Sequence, residues 1–458
     1  MKSWRLIALL TAVVFTFACG FTSVQGPKQK GDIPNVTEEM LYPGFWANKL
    51  DDADKVIMTQ KEIENYNGNI RKSVNAVADL ESYPNVLTHQ ELREKIKEYK
   101  LPRMPQYNIA GHKLKESYFN SLLENRNLKD IKKVNPVRFG LTVNRTNMRS
   151  FPTDELLMSE PGDIEFDSLQ ETSLHLGTPM AVLHTSLDGK WYFCQAASYR
   201  GWVAAGDVAI RDKKHVLHFA GVKPFAVVTG NHVKTGHSPH NEAVSNVSLE
   251  MGVRLPLVVN PPADLDGQAG QGNLTVLMPL RDAKGRLEIK KAMIPSHEDV
   301  TVGYMPYTRA NIIRQAFKMQ GDRYDWGGRS GGHDCSSFLQ DIFLSFGFEL
   351  PRNTGEQEEM YAIKYDLKNK SDAEKTTVLT DLKPGALLYM PGHTMLYLGR
   401  VEGRNYIIHD FATYGKKTGQ GGYVSAPAME VAVTGVDLPR SDGQTFLGHL
   451  TSALVIQD

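Results

Sequence analysis

The sequence predicts an α+β multidomain chain: a helical N-terminal region, two small β-barrels and a C-terminal α+β domain. Three observations carry this. The chain has 458 residues, 41% of them hydrophobic, enough for about three domains with cores of their own. Short β-prone runs broken by turn residues fill its middle. Near the C-terminal end a glycine-rich loop, Tyr324 to Gly332, runs into an amphipathic segment that is followed by short apolar strands.

The chain opens with Lys2 and Arg5 ahead of an apolar run, Leu6 to Phe17. Residues 1–18 therefore read as a secretory signal peptide, too short for a comfortable membrane span. Thr16-Phe17-Ala18-Cys19 resembles the cleavage and acylation site of bacterial lipoproteins, although Thr16 stands where an aliphatic residue is usual. Cys19 is thus a candidate lipidated N-terminus, and residues 19–33 a polar tether. This places the chain outside the cytoplasm, lipid-anchored in the envelope and facing the periplasm. Only Cys194 and Cys335 remain, so there is no disulfide framework. Lys and Arg total 52 and so do Asp and Glu, a balance that excludes the basic excess of a nucleic-acid binder.

Residues 34–130 read as mostly helical. Asp51 to Asp54 can cap one helix, and Thr88-His89-Gln90-Glu91 has the spacing of a capping box. Strand candidates at 137–143, 181–184, 191–197 and 202–205 make residues 136–220 a small barrel, with Trp191 and Trp202 in its core. Residues 221–300 repeat the style, with strands at 225–228, 253–259 and 274–278 and a glycine-rich loop at 264–271. His232, His237 and His240 there lack metal-ligand spacing and read as a solvated loop.

In residues 301–458, Phe338, Leu339, Ile342, Phe343 and Phe346 mark one face of a helix. Asp334 is a good N-cap and Gly347 a plausible stop. Cys335 then lies in the first turn, where backbone N–H groups and the helix dipole favour thiolate. A nucleophilic thiol needs a base and an orienter for that base. Strands at 386–390, 393–399 and 405–410, with a hairpin turn centred near 401, bring His393 and His409 close. One histidine is then the base and the other its orienter.

Tyr324 to Gly328, Asp334-Cys335-Ser336, Pro351-Arg352, Leu382 to Gly385 and His393 to Gly399 occur in an order that resembles the NlpC family of papain-like cell-wall cysteine peptidases. Ser337 replaces the glycine usual after Asp-Cys-Ser. The stretches 177–184, 188–191 and 201–203 resemble bacterial SH3-like domains. The resemblance implies a papain-like catalytic domain with Cys335 as nucleophile, His393 as base and His409 as orienter. It implies peptidoglycan stem peptides as substrate, cut between D-γ-glutamate and the diamino acid (diaminopimelate). Tyr324, Asp334, Ser336, Asn353 and Thr354 are the candidate oxyanion and substrate contacts, joined by Tyr199 from the first barrel. Relatives that recycle free stem peptides carry an acidic residue where Asn353 stands, so a neutral Asn353 points to intact peptidoglycan. No cofactor or metal is expected. Zinc on His333, Cys335, His393 and His409 is the rival, but it lacks paired ligands such as Cys-x-x-Cys. The other rivals are a recycling peptidase limited to free stem peptides, an acyltransferase and a non-enzymatic wall-binding protein.

Overall fold

The computed structural model describes residues 33–419 and 421–457. The signal peptide, Cys19 and all of the tether but Ile33 lie outside the described residues. Among the described residues no helix is long and apolar enough to cross a membrane.

The N-terminal region has no core of its own. Helix α1 (Gln60–Ser73) starts at a Thr59–Glu62 capping box and buries Ile63, Tyr66 and Ile70, one stripe at helical spacing. Helix α2 (His89–Lys97) starts at the Thr88–Glu91 capping box foreseen in the sequence and buries Leu92 and Ile96. Helix α3 (Glu116–Asn125) buries Phe119 and Leu122. Each stripe joins a different core: α1 the C-terminal domain, α2 the barrels, α3 the segment holding Phe151, Leu157 and Leu169. One expectation is corrected. Asp51 to Asp54 cap no helix; that stretch is a turn whose Ala53 carbonyl accepts the Ala310 N–H at 2.8 Å. The region, expected to be mostly helical, also holds a strand, Val86–Thr88, which pairs antiparallel with Val134–Pro136.

The first β region is a seven-stranded sheet: β1 (Arg138–Thr142), β2 (Thr146–Arg149), β3 (Gln170–Leu174), β4 (Pro179–Thr185), β5 (Trp191–Ala196), β6 (Arg200–Ala204) and β7 (Val208–Arg211). The spatial order is β3-β2-β6-β5-β4-β1-β7. Trp191 and Trp202 are buried, as expected. Strands β2 and β3 were silent in the sequence, being short and rich in polar residues such as Thr, Asn and Gln, and β7, although apolar, is only four residues long. The second region holds a three-stranded sheet (Phe225–Val228, Arg254–Pro256, Val300–Val302) and a long hairpin, Leu274–Arg281 with Leu287–Ile294. The loop at 264–271 contains a small hairpin, 264–265 against 268–269. Val276, Met278 and Ile294 pack in one cluster with Phe139, Phe193 and Trp202. The two β regions therefore share a core instead of closing separately.

The C-terminal domain sets helices α4 (Arg309–Lys318) and α5 (Cys335–Leu344) on a six-stranded antiparallel sheet. Its strands are β8 (Ile363–Asp366), β9 (Leu387–Met390), β10 (His393–Val401), β11 (Arg404–Lys417), β12 (Tyr423–Gly435) and β13 (Ser452–Val455), in the order β8-β13-β9-β10-β11-β12. Phe338, Ile342 and Phe343 of α5 pack with Leu387, Leu396, Ile408 and Val433 of the sheet. Helix α5 ends at Leu344, before Gly347, yet Phe346 beyond it stays fully buried.

Candidate active site

Asp334 caps α5 reciprocally with Ser337. Its Oδ1 accepts the Ser337 N–H at 3.0 Å, and its own N–H donates to Ser337 Oγ at 2.8 Å. Cys335 is the first helical residue, as expected. The loop ahead of it turns on Gly327 and Gly328, at φ +63° and +64°, a region that favours glycine. Asp334 Oδ2 accepts from Gly327 N and from Arg352 Nη2. Arg352 also donates to Ser336 Oγ at 2.7 Å and to Thr172 Oγ1 of β3 at 2.6 Å. Asp334 and Ser336 are thus buried and committed to this network. Thr354 Oγ1 lies 3.8 Å from Cys335 Sγ.

The histidines meet, but by another register than the one expected. The hairpin turns at Glu402-Gly403, both at positive φ, with Val401 opposite Arg404 and not about residue 401. A bulge between Tyr397 and Gly399 then shifts the pairing by one residue. Side chains alternate faces, so without the bulge His393 would share its face with Asp410. With it, His393 faces His409 across one diagonal, and His393 Nε2 lies 2.8 Å from His409 Nδ1. His409 is fully buried, stacks on Phe411 at 4.1 Å and reaches Thr434 Oγ1 at 3.1 Å. Nδ1 of His393 is left as the ring nitrogen available to a thiol.

The electrostatics correct a second expectation. Burial, then Asp334, push the Cys335 thiol up to about 12. Thr354, the Thr394 backbone N–H and Arg352 offset this only in part. The surrounding protein, then Arg440, pull His393 down to about 3, and burial also lowers His409. Both shifts favour the uncharged forms, a thiol at Cys335 and a neutral imidazole at His393. Burial, then Cys335 and Asp334, push the Tyr324 phenol well up, so it stays a hydroxyl donor.

The first β region forms one wall of the site. Arg145 donates to the carbonyls of Gly328 and Gly332, Asn147 to that of Arg329 and Gln170 to that of Gly327. Tyr199 Oη donates to Glu171 Oε2 at 2.6 Å and also bonds the Asn353 side chain. Asn353 caps the short helix Thr354–Glu358, with Glu356 completing the box. Burial raises the Glu171 carboxyl, against hydrogen bonds from Tyr199 and Ser150 and the charge of Arg352. The sequence reading assigned no role to Arg352, Glu171 or Asp410. Arg352 stood in a recognised motif, and Asp410 was visible as a lone charge in an apolar strand. Glu171 left no signal, because only the docking of the barrel gives it a place. Cys194 is a free, buried thiol in the barrel, so it forms no bridge to Cys335. Among the described residues no group of three or more His, Cys, Asp or Glu could hold a metal ion, and His333 is engaged by Asp341.

Residues 321–441 match the model of the NlpC/P60 family, and residues 157–204 that of an SH3 domain of the SH3b1 type. The γ-D-glutamyl-L-lysine dipeptidyl-peptidase of Bacillus subtilis (strain 168) is 30% identical over 139 residues, 28% of this chain and 43% of that protein. The murein DD-endopeptidase MepS/murein LD-carboxypeptidase of Escherichia coli (strain K12) is 35% identical over 104 residues, 22% of this chain and 48% of that one. The chain thus spans less than half the length of these curated relatives. The solved structure of an NlpC/P60 endopeptidase from Photobacterium damselae subsp. piscicida superposes with a TM-score of 0.70 at 20% identity, covering 88% of this chain and 94% of that one, a likeness of fold. The chain therefore carries an NlpC/P60-family domain at its C-terminal end, with an SH3 domain of the SH3b1 type ahead of it.

Proposed function

We propose that this chain is a cysteine peptidase of bacterial cell-wall peptides that cuts the bond between D-γ-glutamate and the diamino acid. The observation that carries the reading is the His393–His409 couple, 2.8 Å apart, in the same domain as a thiol at a capped helix start. The thiol proton passes to His393 Nδ1 as sulfur attacks the carbonyl carbon. The C–N bond then breaks, His393 gives the proton to the leaving amine, and water hydrolyses the thioester. His409 holds the His393 ring. The Cys335 N–H and the Tyr324 hydroxyl are the candidate oxyanion donors. Asp334 and Ser336 act as scaffold, since Arg352 engages both. Thr354 is left as the hydroxyl beside the sulfur. The bond assignment draws on the family resemblance and on the name of the Bacillus relative.

The test is mass spectrometry of products from polymeric peptidoglycan and from free L-Ala-γ-D-Glu-diaminopimelate. Cys335→Ala removes all turnover while the fold survives. Turnover near wild type in that variant refutes the mechanism, and a new amide or ester product means acyl transfer instead. Asn353, which is neutral, favours intact peptidoglycan, where the L-alanine amine is acylated. Glu171 favours the second reading, a free stem peptide whose alanine ammonium meets a half-buried carboxylate beside Asn353 and Tyr199. A charged hydrogen bond of roughly 1.5–3 kcal/mol would set such a preference. Under that reading Glu171→Gln raises KM for the free peptide about tenfold or more and leaves polymer cleavage alone. Intact peptidoglycan as substrate requires an exported chain. A mature protein that begins at acylated Cys19, weighed intact from the membrane fraction, would establish the anchor.

A further inference from the structure

The first β region reaches the nucleophile by a second route, through the helix that carries it. His175 directly follows β3, and its Nε2 lies 3.4 Å from Oδ1 of Asp341 on α5. The other oxygen of that carboxylate, Oδ2, lies 3.2 Å from Nε2 of His333. His333 is 2% exposed and stands two residues before Cys335. Its carbonyl accepts the Asp325 N–H at 2.7 Å, and it bridges to Tyr324. One buried carboxylate therefore ties together the barrel, the nucleophile's helix and the loop that delivers the nucleophile.

The charges around this junction agree with the geometry. Burial alone would raise Asp341, but His175 and then His333 hold it well below the usual carboxylate range. Burial would lower His175, but Asp341 and then Glu250 outweigh it, against Arg145, and favour the imidazolium. Arg145 itself donates to the Gly328 and Gly332 carbonyls, so the barrel holds the loop at its start as well as at its end. Removing one partner of such a buried pair leaves the other charge uncompensated, and the loop must move to solvate it.

We propose that His175 is a positioning residue for Cys335, acting through Asp341 and His333, so that docking of the barrel sets the reactivity of the nucleophile. This rests on the reading of Cys335 as the attacking group. The experiment uses the full chain and compares wild type, His175→Ala, His175→Gln, Asp341→Asn and the His175→Ala/Asp341→Asn pair. It reads the alkylation rate of Cys335 by iodoacetamide, kcat and KM on L-Ala-γ-D-Glu-diaminopimelate, and Tm. His175→Ala should slow alkylation and lower kcat by about tenfold with KM little changed, inside the roughly hundredfold that a displacement of about 1 Å can cost. His175→Gln keeps a donor on its side-chain nitrogen and should restore most of the loss. The double variant should be no worse than Asp341→Asn alone, because both act on one path. The proposal is overturned if His175→Ala lowers only Tm, if its effect falls on KM alone, or if the two substitutions add. Should the wild type alkylate at Cys335 yet cleave no stem peptide, the substrate reading fails, while the alkylation rates still decide for or against the relay.

Discussion

At the scale of single residues, burial decides the chemistry. The sequence placed Cys335 at a helix start and from that expected a thiolate. The structure adds what no local pattern shows, that burial and then Asp334 push the thiol up. Under the proposed mechanism the thiol then gives up its proton during attack, not before it. The alkylation rate of Cys335 should climb about tenfold per pH unit from neutral to alkaline pH, as the thiolate fraction grows. A plateau below pH 8 would mean a preformed thiolate–imidazolium pair. His393→Ala should cost roughly a thousandfold in kcat, within the range of a lost general base, and His409→Ala less, because Nδ1 of His393 survives in that variant. Asp410 sets a different test. It is fully buried, and neither of its oxygens has a hydrogen-bond partner. Burial, then Asp334, Asp322, Asp325 and Glu430, push it up to about 9. A folded-state pKa above the unfolded one means that the folded chain holds the proton more tightly, so this group erodes stability as pH rises from about 4 toward 9. Asp410→Asn should therefore stabilise the protein at pH 7, on the order of 1–3 kcal/mol, and do nothing below about pH 4. Melting curves at the two pH values read this, and an equal shift at both would refute it.

At the scale of elements, the order of the motifs was legible and the register was not. Glycine, cysteine, turn and strand motifs name the parts in sequence, and the capping box at Thr88 was found where its spacing put it. The bulge in β10 leaves no trace in hydrophobic pattern, because one extra residue costs the strand only a shift of phase. Gly399, at φ +118°, is its one visible sign, a lone glycine inside a strand. The loop glycines offer a test of how the barrel grips the site. A Cβ at Gly328 would lie 2.5 Å from Ser173 Oγ and 2.8 Å from Arg145 Nη2, displacing the arginine that holds the loop carbonyls. A Cβ at Gly303, φ +78°, would meet open space. Gly328→Ala and Gly303→Ala should each lose about 1–2 kcal/mol of stability from the left-handed backbone, but only Gly328→Ala should lower kcat. Equal turnover in the two variants would mean that the Arg145 grip is irrelevant to the site.

At the scale of the whole molecule, the N-terminal region is cover for domains that follow it. Helix α2 was visible in the sequence through its cap at Thr88, but helix α1 and its destination were not, because the partners of α1 lie more than two hundred residues downstream. Trp46, Ile63, Tyr66 and Ile70 belong to the core that holds Ile313, Phe343, Phe346 and Phe348 of the C-terminal domain. Tyr66 packs edge-on against Phe348 at 5.7 Å, and Asn67 donates to the Gly347 carbonyl at 2.8 Å while accepting the Glu349 N–H at 3.0 Å. Burial of each large apolar side chain is worth roughly 1.5–3 kcal/mol, so losing four together rivals the 5–15 kcal/mol by which a whole domain is stable. Residues 301–458 expressed alone should therefore aggregate or bind a hydrophobic dye, although they contain Cys335, His393 and His409. A chain of residues 33–458 should stay soluble and active. In the full chain, Trp46→Ala should lower Tm and leave kcat per folded molecule unchanged, since Trp46 packs in the core against Tyr406 at 5.5 Å. A soluble fragment of residues 301–458 with wild-type melting behaviour would show that the C-terminal domain closes its own core, and would leave the N-terminal helices without the role assigned to them here.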